Sequence, residues 1–438
     1  MAKSKEKIIK SDICPVAAVT VDTDRALGRA GNRSRRYLKV SLQAVVAEER
    51  KQRPPLHIAL VIDRSGSMGG PKMALAQQAV NAVLANLQST DYFAVIAFDD
   101  RIEVVTALSP ATGPNVRAAC QAVQAIDARG STAIADGYLS GVQQLLRAAD
   151  LGDDALRRVV LVTDGQANIG PRSPAELSAI VGPARGQSIS TSCLGIGDDF
   201  NEELLAAMAV AGGGQFYFVS DPSLLPRILL AELGEALSVV ARGIAVDLCP
   251  SPGVRLEVLS NYPAQWTGTQ LHLEVGDLVS DQELDLLIAA LLPAGQHGET
   301  PSVEVTVSDR EGPLELPVFT AHWRLTDSAS NDTQPRDLRV LEPVAVALAG
   351  AATLAAVRAN REGDFLHARA TLDELLVTLG HLAPGSSAVE AVRQKIVQLR
   401  EELSQQTTER SRKEHHMMGS SLLRDKDEQG LSRRSRPR

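Results

Sequence analysis

Five short apolar runs sit in the middle of this chain: HIALVID (57–63), YFAVIAF (92–98), RRVVLVTD (157–164), SISTSCLGIG (188–197) and QFYFV (215–219). Their hydrophobicity is nearly continuous rather than alternating, as expected of strands covered on both faces. Between them, Lys72–Leu87, Val116–Ile126, Ile134–Ala149, Pro174–Arg185 and Asn201–Ala211 carry apolar residues at helical spacing. Strands alternating with helices of this length need crossover connections. They predict an α/β fold with a doubly wound, mostly parallel sheet from about residue 56 to 222.

The flanks read differently. Residues 12–50 hold two strand-like stretches, and YLKVSLQAV alternates as a half-buried antiparallel strand does. Residues 244–327 return to strands with turn punctuation, which predicts a β-sandwich. The early strands have no other partner, so the α/β unit, taken to 56–242 with a last helix over Pro222–Ala241, is expected to be inserted in the sandwich or followed by it. Residues 335–410 predict a helical bundle, with apolar positions 389, 392, 396, 399 and 403 at 3/4 spacing. The polar remainder, 411–438, is expected to be disordered. Pro343 to Val357 is the longest apolar run and reads as too short to span a bilayer.

Three segments at or beside the carboxyl ends of predicted strands carry chemistry. They are Asp63, Ser65 and Ser67 in DRSGS, Thr132 in RGSTAIADG, and Asp164 in VTDGQ. Loops at this edge of a doubly wound sheet converge where the strand order reverses. All five side chains offer oxygen, which suits a hard divalent cation: Mg²⁺ first, with Mn²⁺ or Ca²⁺ as alternatives. Two carboxylates and three neutral hydroxyls leave such an ion electron-poor, and an acidic group from another molecule would complete its shell.

This set resembles the metal-ion-dependent adhesion site (MIDAS) of von Willebrand factor A domains, with all five positions filled. The text GIGDDFNEELLAAMAVAGGGQFYFV followed by LAELGEALSVVARGIAVDL also resembles bacterial proteins in which that domain is joined to a β-sandwich and a helical tail. The resemblance implies a non-enzymatic adaptor that binds Asp or Glu of a partner protein through Mg²⁺. It also implies partners such as an AAA-type ATPase or a kinase/phosphatase pair. The last domain helix, Pro222–Ala241, would then couple ligand binding to the sandwich.

Two other function classes remain open at this stage. A metal-dependent hydrolase or phosphotransferase needs a base or nucleophile beside the ion. The motif loops hold no His, Cys or Lys, and no Walker lysine is present. A structural subunit oligomerising through the helices is the other alternative. Asp136 reads as a helix-start acid, Asp99–Asp100 and Asp198–Asp199 as caps, His57 as structural, and His415–Met418 as no metal cluster. A charge of −8 and 3% aromatics argue against nucleic acid. Arg433, Arg434, Arg436 and Arg438 read as a solvated end. Four scattered cysteines fit neither a zinc cluster nor a disulfide framework, and MAKSKEKIIKSD lacks a signal-peptide core. A cytoplasmic protein is expected.

Overall fold

A computed structural model describes residues 14–46, 54–147, 155–310, 312–426 and 432–434. The amino-terminal strands β1 (Val16–Thr23), β2 (Leu27–Arg29) and β3 (Ser34–Ala44) come first. The α/β unit follows, with strands β4 (Leu56–Asp63), β5 (Tyr92–Phe98), β6 (Ile102–Pro110), β7 (Leu156–Thr163), β8 (Ile189–Ile196) and β9 (Gly213–Val219). Its helices are α1 (Pro71–Asn86), α2 (Gly113–Gln124), α3 (Ile134–Leu146), α4 (Pro174–Gly186), α5 (Glu202–Ala211) and α6 (Leu225–Leu237). The sheet order is β6-β5-β4-β7-β8-β9, parallel throughout except for β6.

Every residue of β4 is buried, because alternate residues feed two cores. Ile58, Leu60 and Ile62 pack with α1, α2 and α6, while Ala59 and Val61 pack with α3, α4 and α5. The chain leaves β4 toward β5 on one side and later returns to β7 on the other. The carboxyl ends of β4 and β7 therefore flank the switch point, where an open sheet leaves a crevice.

The fold class read from the sequence is the one observed. The strands after α6 are β10 (Val239–Pro250), β11 (Arg255–Val258), β12 (Ala264–Thr267), β13 (Gln270–Val279), β14 (Glu283–Leu292) and β15 (Ser302–Asp309). One sheet runs β1-β3-β14-β11, so β3 pairs with a strand more than 200 residues later in the chain. The second sheet contains β12-β13-β10-β15. Leu38, Val40 and Leu42 of the first face Val246 and Leu248 of the second in a shared core that also takes in Trp323.

The expected single helix over Pro222–Ala241 is corrected to a 3₁₀ turn at Pro222–Leu224, then α6 ending at Leu237. Val239 is drawn into β10, where it pairs with Val279 of β13. Glu232 fixes α6 to the sheet. It is 2% exposed and accepts hydrogen bonds from Arg158 (2.5 Å), Ser192 (2.6 Å) and Tyr217 (2.6 Å).

After the short α7 (Ser328–Thr333), four helices close the chain: α8 (Leu338–Arg361), α9 (Phe365–Leu382), α10 (Ser387–Leu403) and α11 (Glu409–Leu423). The helical region thus extends beyond 410, and the disorder expected from 411 gives way to a helix as far as Leu423. Thr408 caps α11 by accepting the Ser411 N–H. Its buried face is polar, with Arg412, Lys413, His416, Ser420 and Ser421, which is why apolar periodicity does not reveal it. Helix α8 is also longer than the apolar run suggested. It is long and apolar enough to cross a membrane by length and composition, yet more than half of that stretch is buried against its neighbours.

Candidate metal centre

Asp63 is the last residue of β4, and its carboxylate is fixed from two sides. Oδ1 accepts the Ser65 N–H at 2.7 Å, and Oδ2 accepts the Thr163 hydroxyl at 2.5 Å. The first bond turns the chain sharply, so Ser65 and Ser67 face the same way with their hydroxyl oxygens 3.1 Å apart. Ser67 then donates to Oδ1 of Asp164 at 2.7 Å, which ties the loop after β4 to the loop after β7.

Thr132 enters from the loop before α3. That loop is sewn to the first by Gly66 N–H to Gly130 C=O (3.2 Å) and Arg129 N–H to Arg64 C=O (2.6 Å). Gly165 marks the meeting point. A Cβ there would lie 3.0 Å from Thr132 Oγ1, 3.5 Å from Asp63 Oδ2 and 3.7 Å from Ser65 Oγ. Three oxygens from two segments, the turn after β4 and the loop before α3, therefore surround a space that one methyl group would fill. Gly165→Ala is expected to weaken divalent-ion binding about tenfold with little loss of stability, since misplaced ligands carry penalties of that order. Calorimetric titration with Mg²⁺, paired with thermal denaturation, checks both parts.

The site is dry on one side and open on the other. Asp63, Ser65, Thr132 and Asp164 are buried, whereas Ser67 is exposed. Burial pushes the Asp63 carboxyl up to about 6; the nearby Asp164 charge adds to this, while hydrogen bonds from Thr163 and Ser65 oppose it. Two buried carboxylates with several hydroxyl oxygens fit a hard divalent cation: the charge is wanted, and every donor is oxygen. Among the described residues no group of three or more His, Cys, Asp or Glu gathers as a metal-binding set; here two carboxylates are joined by hydroxyls instead.

Several neighbours take the bland roles read for them. Asp136 stands in the first turn of α3. Asp99 accepts the Arg101 N–H at 2.7 Å and the Arg129 side chain at 2.8 Å; burial opposes its charge, yet these bonds hold it below the usual range.

Other residues were missed. Lys72, in the first turn of α1, donates to Oδ2 of Asp164 at 2.5 Å and brings to that carboxylate a lysine the loop motifs do not hold. Its place just downstream of Ser67 was the available signal, because a helix started by that loop must turn its first residues toward the same edge. Thr163 was also missed, although it directly precedes Asp164.

The site opens into a cleft of about 620 Å³. Asp198, Asp199 and Phe200 line one part of it, and Arg361, Glu409 and Lys413 wall it from α8 and α11. Lys413 is held there by Glu202 (2.9 Å), the Phe200 carbonyl (2.6 Å) and the Phe200 ring (4.5 Å to its centroid). His416, which suggested no metal cluster, lies edge-on to Phe216 instead.

Comparison with known proteins agrees with this architecture. Residues 57–230 match the von Willebrand factor type A domain model. An uncharacterized Synechocystis protein, sll0103, is 29% identical over 63% of this chain and 67% of its own length. Bovine inter-alpha-trypsin inhibitor heavy chain H4 is 30% identical over 54% of the chain, and Escherichia coli YfbK 27% over 50%. The matches span only 26% and 37% of those two proteins. Among solved structures, a von Willebrand factor type A protein from Catenulispora acidiphila superposes with a TM-score of 0.69 at 20% identity, covering 90% of this chain and 91% of that one. The ArnB paralog VWA2 from Sulfolobus acidocaldarius gives 0.61 at 17% identity, over 94% and 98%. From the switch-point sheet to these matches, residues 57–230 carry the fold and the family match of a von Willebrand factor type A domain, within a larger, multi-layered chain.

Proposed function

We propose that Asp63, Ser65, Ser67, Thr132 and Asp164 hold a divalent cation, Mg²⁺ by preference, and that the chain is an adaptor whose bound ion captures an Asp or Glu of a partner protein. The observation that carries this reading is the convergence of Asp63, Ser65 and Thr132 oxygens on the loop of Asp164 and Gly165, at the mouth of an open cleft. When bound, the ion supplies Lewis acidity toward an incoming carboxylate. The chain's own residues do the positioning: Thr163 and the Ser65 N–H orient Asp63, while Ser67 and Lys72 orient Asp164.

Binding is favoured over catalysis because no His or Cys is found among the described residues that line the cleft. Lys72 is engaged with Asp164 and Lys413 with Glu202, so neither is a free base. A cytoplasmic setting, and an AAA-type ATPase or kinase/phosphatase partner, belong to the same proposal and rest on the family resemblance.

The test is affinity capture with the full chain in Mg²⁺ or in EDTA. Partners should be retained in Mg²⁺, released by EDTA, and absent from Asp63→Ala and Asp164→Ala beads. Capture that is indifferent to EDTA and to both substitutions overturns the reading.

A further inference from the structure

A second cleft, of about 570 Å³, opens at the opposite end of the parallel sheet, where the starts of β7 and β8 and the end of α4 face the β-sandwich. Arg157 and Arg185 line it from the α/β side and Arg310 from the sandwich. Arg157 is only 8% exposed, yet its Nε and Nη2 have no hydrogen-bond partner among the described residues. These two nitrogens form one edge of the guanidinium, the edge that grips a tetrahedral or planar anion with two parallel bonds. Arg185 holds Glu274 through Nε (3.3 Å) and the Glu274 carbonyl through Nη2 (2.9 Å), but its buried Nη1 is also without a partner.

Buried guanidinium donors without acceptors are rare, because each forfeits hydration with nothing in return. The acids nearby are committed elsewhere. Glu274 serves Arg185, Asp277 accepts the Gly243 N–H at 3.0 Å, and Asp309, the third acid in the lining, also has a partner. His272, also in the lining, pairs with Asp247 at 2.7 Å. The field of Arg157 is felt locally: His57, its neighbour across the β4–β7 register, is held below its ordinary pKa by burial first and then by the Arg157 charge. Gly213, at φ 70°, forms part of the floor, where a Cβ would press to 3.2 Å from Arg185 Nε.

We propose that this cleft binds a small phosphate-bearing ligand, clamped by the buried, unpartnered edge of Arg157 and the unpartnered Nη1 of Arg185. The volume lies within the roughly 300–1,000 Å³ usual for small-molecule sites. Two guanidinium groups match the geometry of phosphate oxygens better than lysines would. The cleft lies at the amino ends of the strands, whereas Asp63 and Asp164 lie at the carboxyl ends. The proposal therefore stands independently of the metal centre.

The experiment uses the full chain, with inorganic phosphate and pyrophosphate as probes and ionic strength matched with NaCl. Wild type should give a saturable heat of binding with at least one probe, and a rise in Tm of about 2 °C at tenfold excess over Kd. Arg157→Met should bind at least about tenfold more weakly. Without phosphate it should melt at or above the wild-type temperature, since it removes buried donors that lack acceptors. A purely structural arginine would instead lower Tm when replaced. Arg157→Lys keeps the charge but not the two-pronged edge, and should also lose affinity. Asp63→Ala should keep the full phosphate response. The proposal is overturned if wild type responds to neither probe, if NaCl alone reproduces the response, if Arg157→Met binds as wild type does, or if Arg157→Met melts lower without phosphate.

Discussion

Asp164→Ala and Asp63→Ala are each expected to weaken Mg²⁺ binding by about 100-fold or more, while leaving a folded protein. The loss is large because each removes one of only two negative charges in the site, and the three hydroxyls cannot replace it. Removing a residue that merely hydrogen-bonds to a metal ligand costs about 10–100-fold, which sets a lower bound for losing a charged donor. The fold should survive for a specific reason. Burial already pushes the Asp63 carboxyl up to about 6, so the metal-free protein bears a desolvation cost that the alanine relieves. Against this stand the lost hydrogen bonds from Thr163 and the Ser65 N–H. The two effects oppose, and the change in metal-free stability should stay within about 1–2 kcal/mol. Calorimetric titration with Mg²⁺ and thermal denaturation in EDTA measure the two quantities separately. A variant that unfolds would show that Asp63 is structural first.

Glu232→Gln should be the most destabilising conservative change, costing about 3–5 kcal/mol. Its carboxylate neutralises Arg158, which is 11% exposed at the side chain, and accepts from Ser192 and Tyr217 as well. The amide keeps the shape but leaves Arg158 charged and unpaired beneath α6. Burial raises the acid's pKa, but the Arg158 charge and the three hydrogen bonds outweigh it, leaving Glu232 below its ordinary 4.5. A depressed carboxyl contributes stability that is present above its unfolded value and lost as pH falls through its folded value. The gap between wild type and Glu232→Gln should therefore be full at pH 7 and shrink on acidification below about 4.5. Urea denaturation at pH 7 and pH 4 measures it, and an unchanged gap would remove the charge from the argument. Because α6 runs directly into β10, loosening this clamp should also loosen the joint between the α/β unit and the sandwich.

The parts legible in the sequence share one property: their signal is local. HIALVID announces a two-faced strand because eight consecutive buried residues require an apolar run. Asp63, Ser65 and Ser67 are readable because a strand end followed by a glycine-rich turn must place those side chains at the crevice. Thr132 and Asp164 follow from their own loops once the strand order is known. What escaped detection depends on contacts across the chain. Lys72 looks like an ordinary helix-start residue until Asp164 is brought beside it. Helix α11 escaped because its docking face is polar: Lys413 is buried by meeting Glu202 and Phe200, more than 200 residues earlier in the chain. Hydrophobic periodicity carries no record of such pairings, so a polar helix read alone looks like a solvated tail. The orphaned edge of Arg157 is invisible for the same reason, since an unmet hydrogen bond is a property of the folded surroundings.

The account stands on a cation held by hydroxyl oxygens at the switch point of the sheet. Crystals of the full chain grown with Mn²⁺ and measured at its absorption edge test this directly. A single anomalous peak should appear within bonding distance of Ser65 Oγ and Ser67 Oγ, close to Thr132 and Gly165, and should vanish in Asp164→Ala. An anomalous peak elsewhere, or none at millimolar Mn²⁺ with these side chains well ordered, would contradict it.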